Sequence, residues 1–129
     1  MASKLENRFG QEFSAALRRR GALIYPNVAS QWSPAGWPDV RVIHRQWSGE
    51  IERKGPRTKI DPLQIATMRE IALRKSHHLP EGYVNCCVVR YVAIETVEVS
   101  TVMTTGELRL LFQCTYDDFL GTIGAYRLY

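Results

Sequence analysis

Cysteine is scarce: there are three, Cys86, Cys87 and Cys114. An odd number with two adjacent members is a poor basis for a disulfide framework, so a reducing cytoplasmic setting is expected. No pair has the Cys-x-x-Cys spacing of a zinc site, and nothing near His77 and His78 completes a ligand set. No apolar run approaches the roughly 20 residues needed to span a bilayer. The opening MASKLENRFG turns charged at once, without the apolar stretch of a secretory leader. These absences predict a protein of the cell interior with no membrane partner. Internal repeats and low-complexity tracts are lacking too. Strong net charge is also missing: 17 Lys and Arg against 13 Asp and Glu leave +4, the sign a polyanion wants but too small to establish one. What remains is ordinary for a folded chain. Hydrophobic residues make up 45% and charged residues 23% of 129, which excludes wholesale disorder and leaves room for one core, hence one domain over residues 1–129.

Hydrophobic spacing predicts the elements. Leu5, Phe9, Phe13, Ala16 and Leu17 recur at steps of three and four, giving an amphipathic helix from Leu5 to Arg20 ended by Gly21. Arg18, Arg19 and Arg20 suit its last turn, where cations meet the negative end of the dipole. Ala22 to Val28, with Pro26, reads as an edge strand, and Ala29 to Pro38 as a loop. The run from Asp39 to His44 and the run from Glu50 to Lys54 alternate as two strands around a turn at Gln46 to Gly49. Asp61 and Pro62 open a second helix reaching about Lys75, with Leu63, Ala66, Ile71 and Ala72 or Leu73 on its buried face. Tyr83 to Val92 is apolar enough for a fully buried strand, and Val97 to Met103 and Leu108 to Cys114 follow as strands. The tail from Tyr116 is ambiguous, with one short helix possible at Asp117, Asp118 and Phe119. The order helix, three strands, helix, strand, then a strand-rich tail indicates an α/β (α+β) class, a mixed sheet flanked by helices.

The chemistry concentrates between Gly36 and Gly55. Glu52 and Lys54 are two apart on one strand, so they share a face. A hairpin brings Asp39, at the mouth of the preceding strand, beside Glu52. Two carboxylates about 4 Å apart repel by roughly 4 kcal/mol at an effective dielectric near 20. A divalent ion removes that conflict, and oxygen donors suit Mg²⁺ or Mn²⁺ with an open position for a phosphate oxygen. Lys54 is placed to orient an attacking water and to offset charge developing on phosphorus. Phosphodiester hydrolysis is the chemistry this arrangement would serve.

Pro38-Asp39 followed by Glu52-Arg53-Lys54 resembles the signature of the PD-(D/E)XK nuclease superfamily. Gly36 before the aspartate, Gly55 after the lysine and Gln64 in the next helix are similar to its VRR-NUC and phage-nuclease branch, which includes Holliday junction resolvase-like members. The resemblance covers about residues 5 to 92. It implies a restriction-endonuclease-like core and a metal-dependent endodeoxyribonuclease acting on branched or junction DNA in a bacterial or phage-infected cell. It further implies Asp39, Glu52, Lys54 and Gln64 as catalytic residues, and the backbone carbonyl of Arg53 as a further metal ligand. An acid in the first helix should complete the metal site. Glu6 lies about 40° from the middle of the apolar stripe and Glu12 about 80° away on the other side, which favours Glu6. Glu50 shares the face of Glu52 but comes one pair too early for the Glu-x-Lys frame.

Around this centre, Arg57, Lys59 and Arg53 are candidates to steer DNA phosphates. Trp32 and Trp37 border it and offer faces to an unpaired base, although capping a loop is the commoner role of such residues. A homodimer would place two sites across a symmetric branch. Each residue also has a plain reading: Asp39 a turn residue, Glu52 with Lys54 a surface ion pair, Gln64 a solvated helix position. The alternative for the whole chain is a non-catalytic nucleic-acid-binding phage accessory module on the same scaffold.

Overall fold

The computed structural model describes residues 4–27, 35–75 and 77–129. Its elements are α1 (Lys4–Arg19), β1 (Leu23–Pro26), β2 (Val40–Ile43), β3 (Gly49–Lys54), α2 (Pro62–Leu73), β4 (Cys86–Ala93), β5 (Thr96–Val102), β6 (Leu108–Thr115) and α3 (Phe119–Ala125). The six strands form one sheet in chain order, with β3 and β4 parallel and every other neighbour antiparallel. The parallel pair needs a crossover, and α2 supplies it. The expected mixed sheet flanked by helices is therefore present, with helix, three strands, helix and strand in the expected order.

Two helix boundaries have clear local causes. Gly21 takes φ +92°, and the N–H groups of Gly21 and Ala22 return to the carbonyls of Arg18 and Leu17 at 2.9 and 3.1 Å, closing α1. Asp61 caps α2 by accepting from the Leu63 N–H at 2.7 Å, while the Gln64 side chain accepts from the Asp61 N–H at 3.1 Å. This reciprocal box is what Asp-Pro-x-Gln encodes.

The sheet separates two cores. On one face Phe9, Phe13 and Leu17 of α1 and Phe119, Leu120 and Ile123 of α3 pack on Val40, Val42, Ile51, Cys87, Val89, Val97 and Val99. On the other, Met68 of α2 packs on Cys86, Val88 and Val102. All three cysteines are free, and burial pushes the thiols of Cys86 and Cys87 up, away from reactivity. No helix among the described residues is long and apolar enough to cross a membrane.

Two expectations differ from the structure. The buried residues of α2 are Thr67 and Met68, whereas Leu63, Ala66 and Leu73 are exposed. Ile71, also expected on the buried face, packs half-buried with Ile65 against the cluster of Met68, Cys86, Val88 and Val102. The strand expected from Tyr83 starts at Cys86, because the Tyr83 N–H closes a turn on Pro80 and its hydroxyl bonds the Ser48 backbone. The tail that sequence left unexplained completes the core: Trp47, in the turn between β2 and β3, meets Phe119 edge-on at 5.7 Å. At roughly 1.5–3 kcal/mol for each buried side chain, Phe119, Leu120 and Ile123 make α3 integral to stability.

Candidate active site

β3 sorts its side chains by period two. Ile51 and Arg53 face α1, and Glu50, Glu52 and Lys54 face the side of α2, in register with Cys86, Val88 and Arg90 of the parallel partner. Glu52 is only 5% exposed. Its Oε2 lies 3.5 Å from Lys54 Nζ, whereas its Oε1 is buried with no hydrogen-bond partner among the described residues. Burial, with the charge of Asp39 adding to it, raises the Glu52 carboxyl from 4.5 to about 7, against the opposing pull of Lys54 and the Gln64 side chain.

Asp39 leads into β2 and is clamped by Arg53. The Arg53 backbone N–H donates to Asp39 Oδ1 at 3.3 Å and its Nε to Oδ2 at 3.1 Å. The same guanidinium donates through Nη1 to the Gly10 carbonyl at 3.0 Å and the Ser14 hydroxyl at 2.8 Å. Gly10 is what admits it, since a Cβ there would stand 3.3 Å from Nη1. Burial pushes the Asp39 carboxyl up, and Arg53 and Lys54 hold the rise in check. Arg53 is thus turned inward onto α1 rather than outward toward a phosphate.

Glu6, Asp39, Glu52, Arg53 and Lys54 line one cleft of about 570 Å³, together with Thr58 of the loop after β3. Thr58 donates its hydroxyl to Glu6 Oε2 at 3.3 Å. Gly55 lets the first turn of α1 come close, because a Cβ on it would sit 3.3 Å from that of Glu6. Glu12 instead pairs with Arg8 at 2.9 Å and lines a different cleft, on the outer flank of α1. Of the two acids weighed for the metal site, Glu6 is the one that shares a cleft with Asp39 and Glu52. Lys54 also opens on a smaller hollow with Lys59 and Gln64, while Arg57 is exposed on the loop between. That loop is pinned from beneath by Arg90, whose Nη1 donates to the carbonyls of Gly55 at 2.8 Å and Thr58 at 2.6 Å.

Glu50, two residues before Glu52, belongs to a different arrangement. Its carboxylate accepts from Arg41 Nε and Asn27 Nδ2, both at 2.7 Å, and Asn27 also donates to the Pro38 carbonyl at 2.9 Å. Glu50 therefore fixes the backbone that presents Asp39. Sequence reasoning missed Asn27, Gly10, Ser14, Thr58 and Arg90. The one signal available was Gly10 and Ser14, two small residues one turn apart on the buried face of α1. Trp37 lines a separate cleft beside Glu50, and Trp32 lies outside the described residues.

The donor chemistry fits a hard divalent cation: an unmet buried carboxylate oxygen on Glu52, with Asp39 beside it and Glu6 across the cleft. Among the described residues, however, no three His, Cys, Asp or Glu side chains converge closely enough to hold a metal as they stand. No protein-family model matches the chain, and no curated protein matches it.

Proposed function

We propose that the chain is a Mg²⁺- or Mn²⁺-dependent endodeoxyribonuclease that hydrolyses phosphodiester bonds in DNA, selective for branched or junction substrates. The observation that carries this reading is the buried, unpartnered Oε1 of Glu52, in a cleft with Asp39, Glu6 and Lys54. A chain that buries a carboxylate oxygen without a partner forfeits stability unless something outside the chain meets it. Glu6, Asp39, Glu52 and the backbone carbonyl of Arg53 would hold the ion. When bound, the ion would neutralise phosphate charge and acidify a water. Lys54, kept in place by Glu52, orients the attacking water and offsets charge on phosphorus. Arg53 fixes the plane of the Asp39 carboxylate while using only part of its acceptor capacity, since a carboxylate offers about four lone-pair sites. Gln64 favours the ionised form of Glu52. Arg57 and Lys59 draw the DNA backbone toward the cleft.

Incubating branched, single-stranded and duplex DNA with Mg²⁺ and with Mn²⁺ tests this. Wild-type protein should cut, and Asp39→Ala and Lys54→Ala should not; equal activity in all three removes the assignment. A homodimer spanning a two-fold branch is part of the same proposal, and a monomeric mass by light scattering with and without DNA would remove that part.

A second reading, a binding module that cleaves nothing, draws support from the internal pairing of Asp39 with Arg53 and from the lack of a ready three-carboxylate group among the described residues. Calorimetric titration with Mn²⁺ separates the two. No binding at millimolar concentration favours the module, whose DNA affinity would need no divalent ion.

A further inference from the structure

A second cleft, of about 620 Å³, opens between α2 and the start of β3, walled by Trp37 and Ile71. It shares none of its lining with the cleft of Glu52. Its charged residues come in two neutralised pairs: Arg41 with Glu50 at 2.7 Å, and Arg74 with Glu70 one helical turn apart on α2. Such a rim has no net charge to offer a phosphate or an acidic peptide. It suits instead a flat, uncharged ring with hydrogen-bonding edges, lying against the indole of Trp37. Asn85 is among the residues that line the same cleft, and its side-chain amide makes no hydrogen bond to another described residue, so it can both donate and accept at such an edge. Trp37 and Asp39 are two residues apart, so their Cα atoms are within about 7 Å. A strand whose phosphate lies at Asp39 therefore has a neighbouring nucleotide within reach of the indole.

We propose that this second cleft takes one unpaired nucleobase of a DNA strand engaged at the Glu52 cleft, stacked on Trp37 and read at its edge by Asn85. The proposal rests on the nuclease reading and deepens it, because a pocket for one unstacked base would make an interruption in the duplex the preferred substrate.

Binding in EDTA, where no cleavage is required, tests it. Fluorescence anisotropy with a labelled duplex carrying one unpaired adenine is compared with the same duplex carrying an abasic residue at that place. Wild-type protein should bind the adenine form roughly tenfold tighter, the scale of one base–aromatic stack. Trp37→Ala should bind the two alike, Trp37→Phe should keep part of the preference, and thermal melting checks that each variant folds. Should Trp37→Ala fail to fold, the wild-type comparison still decides. Equal affinity of wild-type protein for both duplexes overturns the proposal, as does a folded Trp37→Ala that keeps the full preference. Base-indifferent binding combined with Mn²⁺-dependent cleavage overturns only the second cleft. No DNA binding at all overturns the nuclease reading with it.

Discussion

Glu50 and Glu52 sit on the same strand, face the same way and are almost equally buried, at 6% and 5% exposure. The two ends of β3 nonetheless treat them oppositely. Glu50 has both oxygens met, one by Arg41 and one by Asn27 at 2.7 Å each. Glu52 has a single cation at 3.5 Å and an oxygen with no partner among the described residues. Burial of a carboxylate is costly in both places. At Glu50 the chain supplies the compensation itself and obtains a rigid Pro38-Asp39 corner. At Glu52 it leaves an acceptor over, and the proposed metal site rests on that difference.

Substituting each in turn gives the largest expected effects. Glu52→Gln should lower DNA cleavage by about 10²–10³-fold, the scale of losing one charge-stabilising group in an active site, while the protein folds at least as well. Glu50→Gln should leave cleavage within about tenfold but lower stability in urea by about 2 kcal/mol, because it strips charge from two short hydrogen bonds. That figure sits below the cost of breaking a fully buried pair because the Arg41 side chain is 53% exposed and can rehydrate. A Glu52→Gln protein less stable than Glu50→Gln, or a well-folded Glu50→Gln protein without activity, would break the contrast between the two ends.

The contrast was only half legible in the sequence. Period-two geometry placed Glu50, Glu52 and Lys54 on one face, and capping rules located the start of α2 at Asp61 and Pro62, because both depend on neighbours in the chain. The partner of Glu50 could not be read, since Asn27 is 23 residues away and reaches it through the β1–β2 pairing. The partners of Arg53 could not be read for the same reason: strand alternation gave its face but not that Gly10 and Ser14 of α1 would meet its guanidinium there. The tail looked ambiguous because Phe119, Leu120 and Ile123 make too short a helix to show a period, and their burial is decided by Trp47 and Phe13. Glu6 rather than Glu12 followed from the angle on α1, a local quantity.

The pH dependence of stability sharpens the contrast at a smaller scale. In the folded protein without metal Glu52 holds its proton up to about 7, whereas an ordinary glutamate releases it near 4.5. A carboxyl raised on folding contributes stability that is full below the unfolded value and lost as pH rises through the folded one. In EDTA, wild-type protein should therefore lose on the order of 2 kcal/mol relative to Glu52→Gln between about pH 4.5 and 7. Asp39, also raised, is present in both proteins and largely cancels from the difference. Urea melts of the two proteins across that window check it, and parallel curves would show that Glu52 is solvated after all.

The smallest effect isolates Gln64, which serves two masters. Its Oε1 caps α2 by accepting from the Asp61 N–H, and its amide favours the charge on Glu52. Gln64→Glu keeps the capping acceptor, because glutamate serves equally at that position of the box, but exchanges a donor toward Glu52 for a like charge. Helix stability should be nearly unchanged while the Glu52 transition moves to higher pH, by less than about one unit, or under about 1.4 kcal/mol. The same paired melts measure the shift. A midpoint that stays put, with the helix intact, would confine Gln64 to the cap and leave Lys54 as the sole group that favours the Glu52 charge.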